Sequence, residues 1–124
     1  MKDFTEKFLE LIRLSATNLP PDVEKALRKS IKDEEPGTAG HGAMETIINN
    51  FEIARENSTP ICQDTGTPIF FVHYPEGWST RKIKSQIQDA VVQATEMAYL
   101  RPNAVDPISG VNSGNNLGGD HYPT

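Results

Sequence analysis

Apolar residues recur at helical spacing along much of the chain. Phe4, Phe8, Leu11 and Ile12 stand at i, i+4, i+7 and i+8, one face of a helix, and predict a first helix over about residues 3–16. Leu19-Pro20-Pro21-Asp22 breaks it and starts a second helix over about 21–33. Proline is tolerated in a first turn, and Asp22 and Glu24 complement the positive end of the helix dipole. Val23, Leu27 and Ile31 give that helix a narrow apolar stripe, so its other side should face water. After the charged run Lys32-Asp33-Glu34-Glu35 and the stop at Pro36-Gly37, a loop carrying Gly40, His41 and Gly42 leads to a third helix over about 43–57, with Met44, Ile47, Ile48 and Phe51 inward. The clearest apolar face comes last. Ser79 or Thr80 is a plausible N-cap, and Ile83, Ile87, Ala90, Val91, Ala94 and Ala98 line a fourth helix over about 80–100. It ends near Leu100 because the residue before Pro102 is pushed out of the helical region.

One segment reads differently. Pro68 to Tyr74 contains Ile69-Phe70-Phe71-Val72, a continuous apolar run rich in aromatic and β-branched residues, which predicts a buried strand over about 68–74. The expected fold class is therefore α+β: a mainly helical N-terminal region packed on a short strand of an incomplete sheet. From Arg101 to Thr124 the chain is mostly Gly, Asn, Pro, Asp and Ser, a Gly/Asn-rich loop over 101–124. A chain that stops straight after such a loop is expected to be a fragment of a larger domain. A strand edge or apolar face left open would then be covered by pairing with a second copy, so a homo-oligomer is expected.

Charge and composition narrow the partners. A chain of 124 residues, 36% hydrophobic and 23% charged, is close to an average soluble protein of one domain. Its net charge of -5, with no basic run longer than a pair, argues against nucleic acid or an anionic membrane as partner. No stretch of roughly 18 apolar residues is present, and Lys2 and Asp3 open the chain where a leader would be basic and then apolar. A cytoplasmic protein is the expectation. The single cysteine, Cys62, excludes an internal disulfide.

Three segments could carry chemistry. Ile61-Cys62-Gln63-Asp64-Thr65-Gly66-Thr67-Pro68 lies between a helix and the apolar run, and its polar turn-forming residues look like a loop aimed at a site. Cys62 there can be a buried structural thiol, a nucleophile or a metal ligand; a nucleophile wants a neighbouring His or helix N-terminus, and one thiolate alone cannot hold a cluster. Leu100-Arg101-Pro102-Asn103-Ala104-Val105-Asp106-Pro107 places an arginine where a long helix breaks into a loop. Its planar fork can pair with a carboxylate, or it can simply serve the negative end of the helix dipole. Asn112-Ser113-Gly114-Asn115-Asn116-Leu117-Gly118-Gly119 allows close backbone approach or left-handed geometry, and it is no phosphate loop because no Gly-Lys-Ser/Thr follows. A flexible connection is the plain alternative. His41 reads as an ordinary loop histidine or a ligand, His73 as a packing residue, and His121 is too near the end to judge.

Taken in order, these segments resemble the class I (iron–sulfur) fumarate hydratase and L-tartrate dehydratase family over nearly the whole chain. The short N-terminal helices look like the α subunit of the two-subunit form. The resemblance implies a [4Fe-4S] cluster held by three cysteines, with Cys62 matching the first as metal ligand; the other two are absent from this chain. It implies a hydro-lyase that reversibly hydrates fumarate to L-malate, a tricarboxylic acid cycle step, the cluster's open iron acting as Lewis acid on the substrate hydroxyl. By the same resemblance Gln63 and Arg101 bind substrate carboxylates, Asn103 and Asn112 shape the substrate pocket, and Asp64 is an acid/base or orienting candidate. The partners implied are a small fumarate- or malate-type dicarboxylate and a β subunit or C-terminal domain, without which this piece is expected to be inactive. Two other readings stand beside it: the α subunit of an L-tartrate dehydratase, and a non-catalytic assembly or binding module with a structural thiol.

Overall fold

Each helix forms where an apolar stripe coincides with a start signal. The computed structural model describes residues 2–64 and 66–119. Helix α1 spans Thr5–Thr17, and the Asp3 carboxylate ahead of it accepts from the Thr5 backbone N–H at 2.9 Å and its hydroxyl at 2.7 Å. Helix α2 spans Pro21–Ser30 and tightens into a single 3₁₀ turn, Ile31–Asp33. Helix α3 spans Ala39–Asn57 and starts earlier than the glycines suggest, because the Thr38 side chain caps it by accepting from the His41 backbone N–H at 3.3 Å. His41 therefore sits in the first turn of a helix. Helix α4 spans Thr80–Glu96, with Ser79 as its N-cap.

The core lies between α1 and α4. Ile12 of α1 clusters with Ile83, Ile87, Ala90, Val91 and Ala94 of α4 and with Leu100, while Phe8, Leu9, Phe70, Trp78 and Leu117 pack around them. Each large aliphatic side chain buried here contributes about 1.5–3 kcal/mol. Two contacts tie the start of α1 to the first half of α4, while at the other end Leu100, just past α4, clusters with Ile12 of α1. Phe4 stacks on Trp78 with ring centroids 5.5 Å apart, and the Phe4 backbone N–H donates to Gln86 at 3.2 Å. The two helices therefore run in the same direction, with their C-terminal ends at one end of the molecule.

Helix α4 stops short of Leu100. Ala98 takes a positive φ of 60°, which releases the helix, and the N–H groups of Tyr99 and Leu100 both fold back to the Ala94 carbonyl, at 2.9 and 3.2 Å. That reversal turns Ala98 outward and Leu100 into the core.

A second, smaller contact joins α2 and α3. Phe51 and Ala54 are buried, and the guanidinium groups of Arg28 and Arg55 lie 5.3 and 5.9 Å from the Phe51 ring centroid. Glu24 bridges the two arginines, and Arg28 also reaches Glu52 at 2.6 Å. These pairs are half-buried at the surface and open to solvent screening, so their worth is small next to the buried ring.

The α+β expectation is overturned. Among the described residues there is no β-strand, only one isolated antiparallel bridge between Val105 and Asn112. Residues 68–74 form no regular element, and Phe70 turns inward to meet Phe8 edge-on at 6.1 Å. Their neighbours point out, Ile69 being 61% exposed and Phe71 90%. A strand needs a second extended segment to exchange backbone hydrogen bonds with, and no described segment makes such bonds to this one. The apolar run therefore packs as a strap over α1, with no sheet among the described residues for it to join. No helix among the described residues is long and apolar enough to cross a membrane.

Two outcomes test this account. Ala90→Leu forces extra volume into the fully buried α1–α4 contact and should lower unfolding stability by about 1–3 kcal/mol, read from the urea midpoint. The Glu24 carboxyl is held below the usual carboxylate range by its hydrogen bonds to Arg55 first and Arg28 second. Its contribution is thus complete above the ordinary Glu value of about 4.3 and is lost as pH falls through the lower folded-state value. Glu24→Gln should flatten the fall of melting temperature with pH in that acid window and leave the neutral-to-alkaline dependence unchanged.

Candidate functional site

The cysteine loop hangs from two helices. At the end of α3, Ser58 takes a left-handed φ of 50°, and the Thr59 N–H returns to the Ala54 carbonyl at 3.0 Å. Ile61 is then fixed from both sides: its N–H donates to the Ala16 carbonyl at the end of α1, at 3.1 Å, and its carbonyl accepts from Asn50 of α3, at 2.8 Å. Cys62 follows, exposed, with its thiol donating to the Asp64 carbonyl at 2.8 Å. Asp64 Oδ1 accepts from the Gly66 N–H at 2.9 Å, closing a tight turn in which Gly66 has a φ of 69°. Thr65 lies outside the described residues.

The arginine loop leaves the C-terminal end of α4, where a cation is favoured by the helix dipole. Arg101 is exposed. Beyond it the chain forms a small hairpin. Ser113 N–H donates to the Ala104 carbonyl at 3.1 Å and Asp106 N–H to the Val111 carbonyl at 2.9 Å, on either side of the Val105–Asn112 bridge. Asp106 Oδ1 organises the tip, accepting from the Ser109 N–H at 2.7 Å, the Ser109 hydroxyl at 2.9 Å and the Ile108 N–H at 3.0 Å. Those bonds, the Ser109 N–H foremost, hold its carboxyl below the usual range. Asn112 caps the return by donating to the Pro102 carbonyl at 2.7 Å.

The two loops meet. Asn103 Nδ2 donates to the Gln63 carbonyl at 3.2 Å, joining positions 40 residues apart. Beside that bond, Asp64, Gly66, Thr67, Pro68, Asn103, Ala104 and Asn116 line a cleft of about 210 Å³. Of the residues singled out from sequence, Asp64 and Asn103 face this cleft and Gln63 borders it through its backbone. Cys62, Arg101 and Asn112 do not line it, although each belongs to one of the two joined loops. His73 is exposed on the strap, and His121 lies outside the described residues.

One residue at this junction has no signal in the sequence beyond its place in a Gly/Asn-rich run. Asn116 is 5% exposed, has a φ of 60° and makes four hydrogen bonds. Its Oδ1 accepts from the N–H groups of Asn103 and Ala104, at 2.8 and 3.1 Å, and its Nδ2 donates to Thr95 Oγ1 and the Arg101 carbonyl, at 3.0 and 2.7 Å.

An iron–sulfur centre would need more than this chain offers. Cys62 is the one cysteine, and no group of three His, Cys, Asp or Glu side chains among the described residues could hold a metal. One thiolate alone does not make such a centre.

Comparison with known proteins sets these loops in context. A protein of Geobacillus stearothermophilus, provisionally named a class I fumarate hydratase, is 43% identical over 118 residues, covering 95% of this chain and 23% of its own length. A Methanocaldococcus jannaschii protein, provisionally named the α subunit of an L(+)-tartrate dehydratase, is 38% identical over 113 residues, 89% of this chain and 39% of its own. The L(+)-tartrate dehydratase α subunit of Escherichia coli K12 is 35% identical over 115 residues, 92% of this chain and 38% of its own. The chain thus spans well under half the length of these relatives. The profile of the fumarate hydratase (Fumerase) family matches residues 5–123, both loops included, and by that match the chain belongs to the fumarate hydratase family.

Proposed function

We propose that the chain is the part of a hydro-lyase that presents one side of the site for a small dicarboxylate, adding water to fumarate to give L-malate and removing it again. The observation that carries this reading is the Asn103–Gln63 bond, which brings the cysteine loop and the arginine loop together beside a cleft that Asp64 helps to line. In this reading Arg101 pairs its planar fork with one substrate carboxylate, and Gln63 donates its side-chain amide to another. Asp64 stands at the cleft to hold or orient a proton, with Asn103 and Asn112 shaping the loop that faces it. Cys62 contributes a single thiolate to an iron–sulfur centre whose other ligands come from elsewhere in the complete enzyme. Further polypeptide, as a β subunit or C-terminal domain, supplies the opposite wall. An L-tartrate dehydratase α subunit is the second reading, favoured by the two relatives of that name at 38% and 35% identity. Both substrates are hydroxylated or unsaturated four-carbon diacids, so the same two loops serve either.

Two experiments on the complete enzyme separate these points. After anaerobic reconstitution with iron and sulfide, Cys62→Ala should lose the visible absorbance of the cluster and all hydratase activity. Retention of the absorbance would remove Cys62 from the ligand set. Assayed side by side with L-malate and L-tartrate, Arg101→Lys should raise KM about 10–100-fold for the physiological diacid, because an ammonium cannot make the two parallel bonds of a guanidinium. An unchanged KM for both acids would end the substrate role of Arg101.

A further inference from the structure

Asn116 is built as a clamp. A carboxamide can accept two hydrogen bonds and donate two, and all four are made within a 5% exposed side chain. The oxygen gathers two successive backbone N–H groups, those of Asn103 and Ala104, and the nitrogen ties the Arg101 carbonyl to Thr95 on α4. Three of the four partners thus lie on the 101–104 backbone and the fourth on a helix of the core. Thr95 itself is held by donating to the Val91 carbonyl of α4 at 2.8 Å, so the clamp is anchored to the best-buried turn of the core. Further out along the same short backbone stands Asn103, whose side chain reaches the cysteine loop through the Gln63 carbonyl.

We propose that Asn116 is a positioning residue: it fixes the backbone from Arg101 to Ala104 against α4 and so sets where the Arg101 fork stands relative to the Cys62–Asp64 loop. This rests on the reading of Arg101 as a substrate contact. Asparagine suits the place on two counts. Its side chain supplies donors and acceptors in one plane, and it tolerates the left-handed backbone better than other residues that could bond in this way. Aspartate keeps the shape and the acceptor oxygen but turns a second oxygen on the Arg101 carbonyl, an unpaired acceptor facing an acceptor. Glycine keeps the positive φ and removes the clamp altogether.

The test uses the complete enzyme carrying Asn116→Asp or Asn116→Gly, each alone and combined with Arg101→Ala. Amide hydrogen exchange at Asn103 and Ala104 should quicken about tenfold in either variant, with protection along Ile83–Ala94 of α4 unchanged. With L-malate as substrate, KM should rise about tenfold while kcat falls less than about threefold, and in the Arg101→Ala background Asn116→Asp should add almost nothing to KM. Unchanged exchange at the two amides would overturn the clamp. Fully additive effects on KM would show that Asn116 does not act through Arg101, and would overturn the positioning role. An Arg101→Ala enzyme with wild-type KM would instead sink the substrate reading, while the exchange data still decide whether Asn116 holds the loop.

Discussion

Where α1 and α4 meet, α4 contributes two fully buried alanines, Ala90 and Ala94, in one cluster with Ile12 of α1. Small side chains let the two helix backbones come close, and the contacts of Phe4 with Trp78 and Gln86 fix them parallel. Parallel packing has a consequence that antiparallel packing would not. Both helices end at the same side, so the cysteine loop, bonded at Ile61 to the end of α1, and the arginine loop leaving α4 begin as neighbours. The cleft between them is a product of helix direction before it is a product of loop sequence.

How the loops keep their shape is a separate matter, because neither is buried enough to be held by apolar packing. They are held by backbone groups and carboxamides: Ile61 to Ala16 and Asn50, Asn112 to Pro102, Asn103 to Gln63, and Asn116 to four partners. Each such bond is worth only about 0.5–1.5 kcal/mol net, but leaving a buried member unpaired costs more, which makes the arrangement specific more than it makes it stable. Asn116 is the most exacting member, being the most buried.

Much of the helical architecture could be read from the sequence because it follows from side-chain periodicity. The face made by Ile83, Ile87, Ala90, Val91 and Ala94 packs as one stripe. What periodicity could not show was where backbone chemistry intervenes. Ala98 continues the apolar pattern yet is exposed, since its positive φ ends α4, and alanine carries no sign of that conformation. The Thr38 cap starts α3 ahead of Gly40 and Gly42, against their propensity. The Ile69–Val72 run has strand composition, but composition cannot provide the second segment that a ladder requires. The candidate site divides in the same way. Its residue types and their order were visible in the motifs, whereas the bond between Asn103 and the Gln63 carbonyl depends on a backbone acceptor, which every residue has and no motif can mark.

The division of labour in the two loops is chemically consistent with binding a diacid. Groups that join the loops are neutral amides and carbonyls, whose bonds do not change with pH or with the arrival of a charged ligand. The charged and reactive groups, Cys62, Asp64 and Arg101, are exposed, and among the described residues their side chains do not bond one loop to the other. Had Arg101 been used to tie the loops through an ion pair with Asp64, a dicarboxylate would have to displace that carboxylate before it could bind, and the site would lose its shape as it filled. Neutral joints avoid the conflict. Under the proposed reading, they would let the guanidinium meet a substrate carboxylate with the surrounding backbone already in place, which is the form of pre-organisation that lowers the cost of binding.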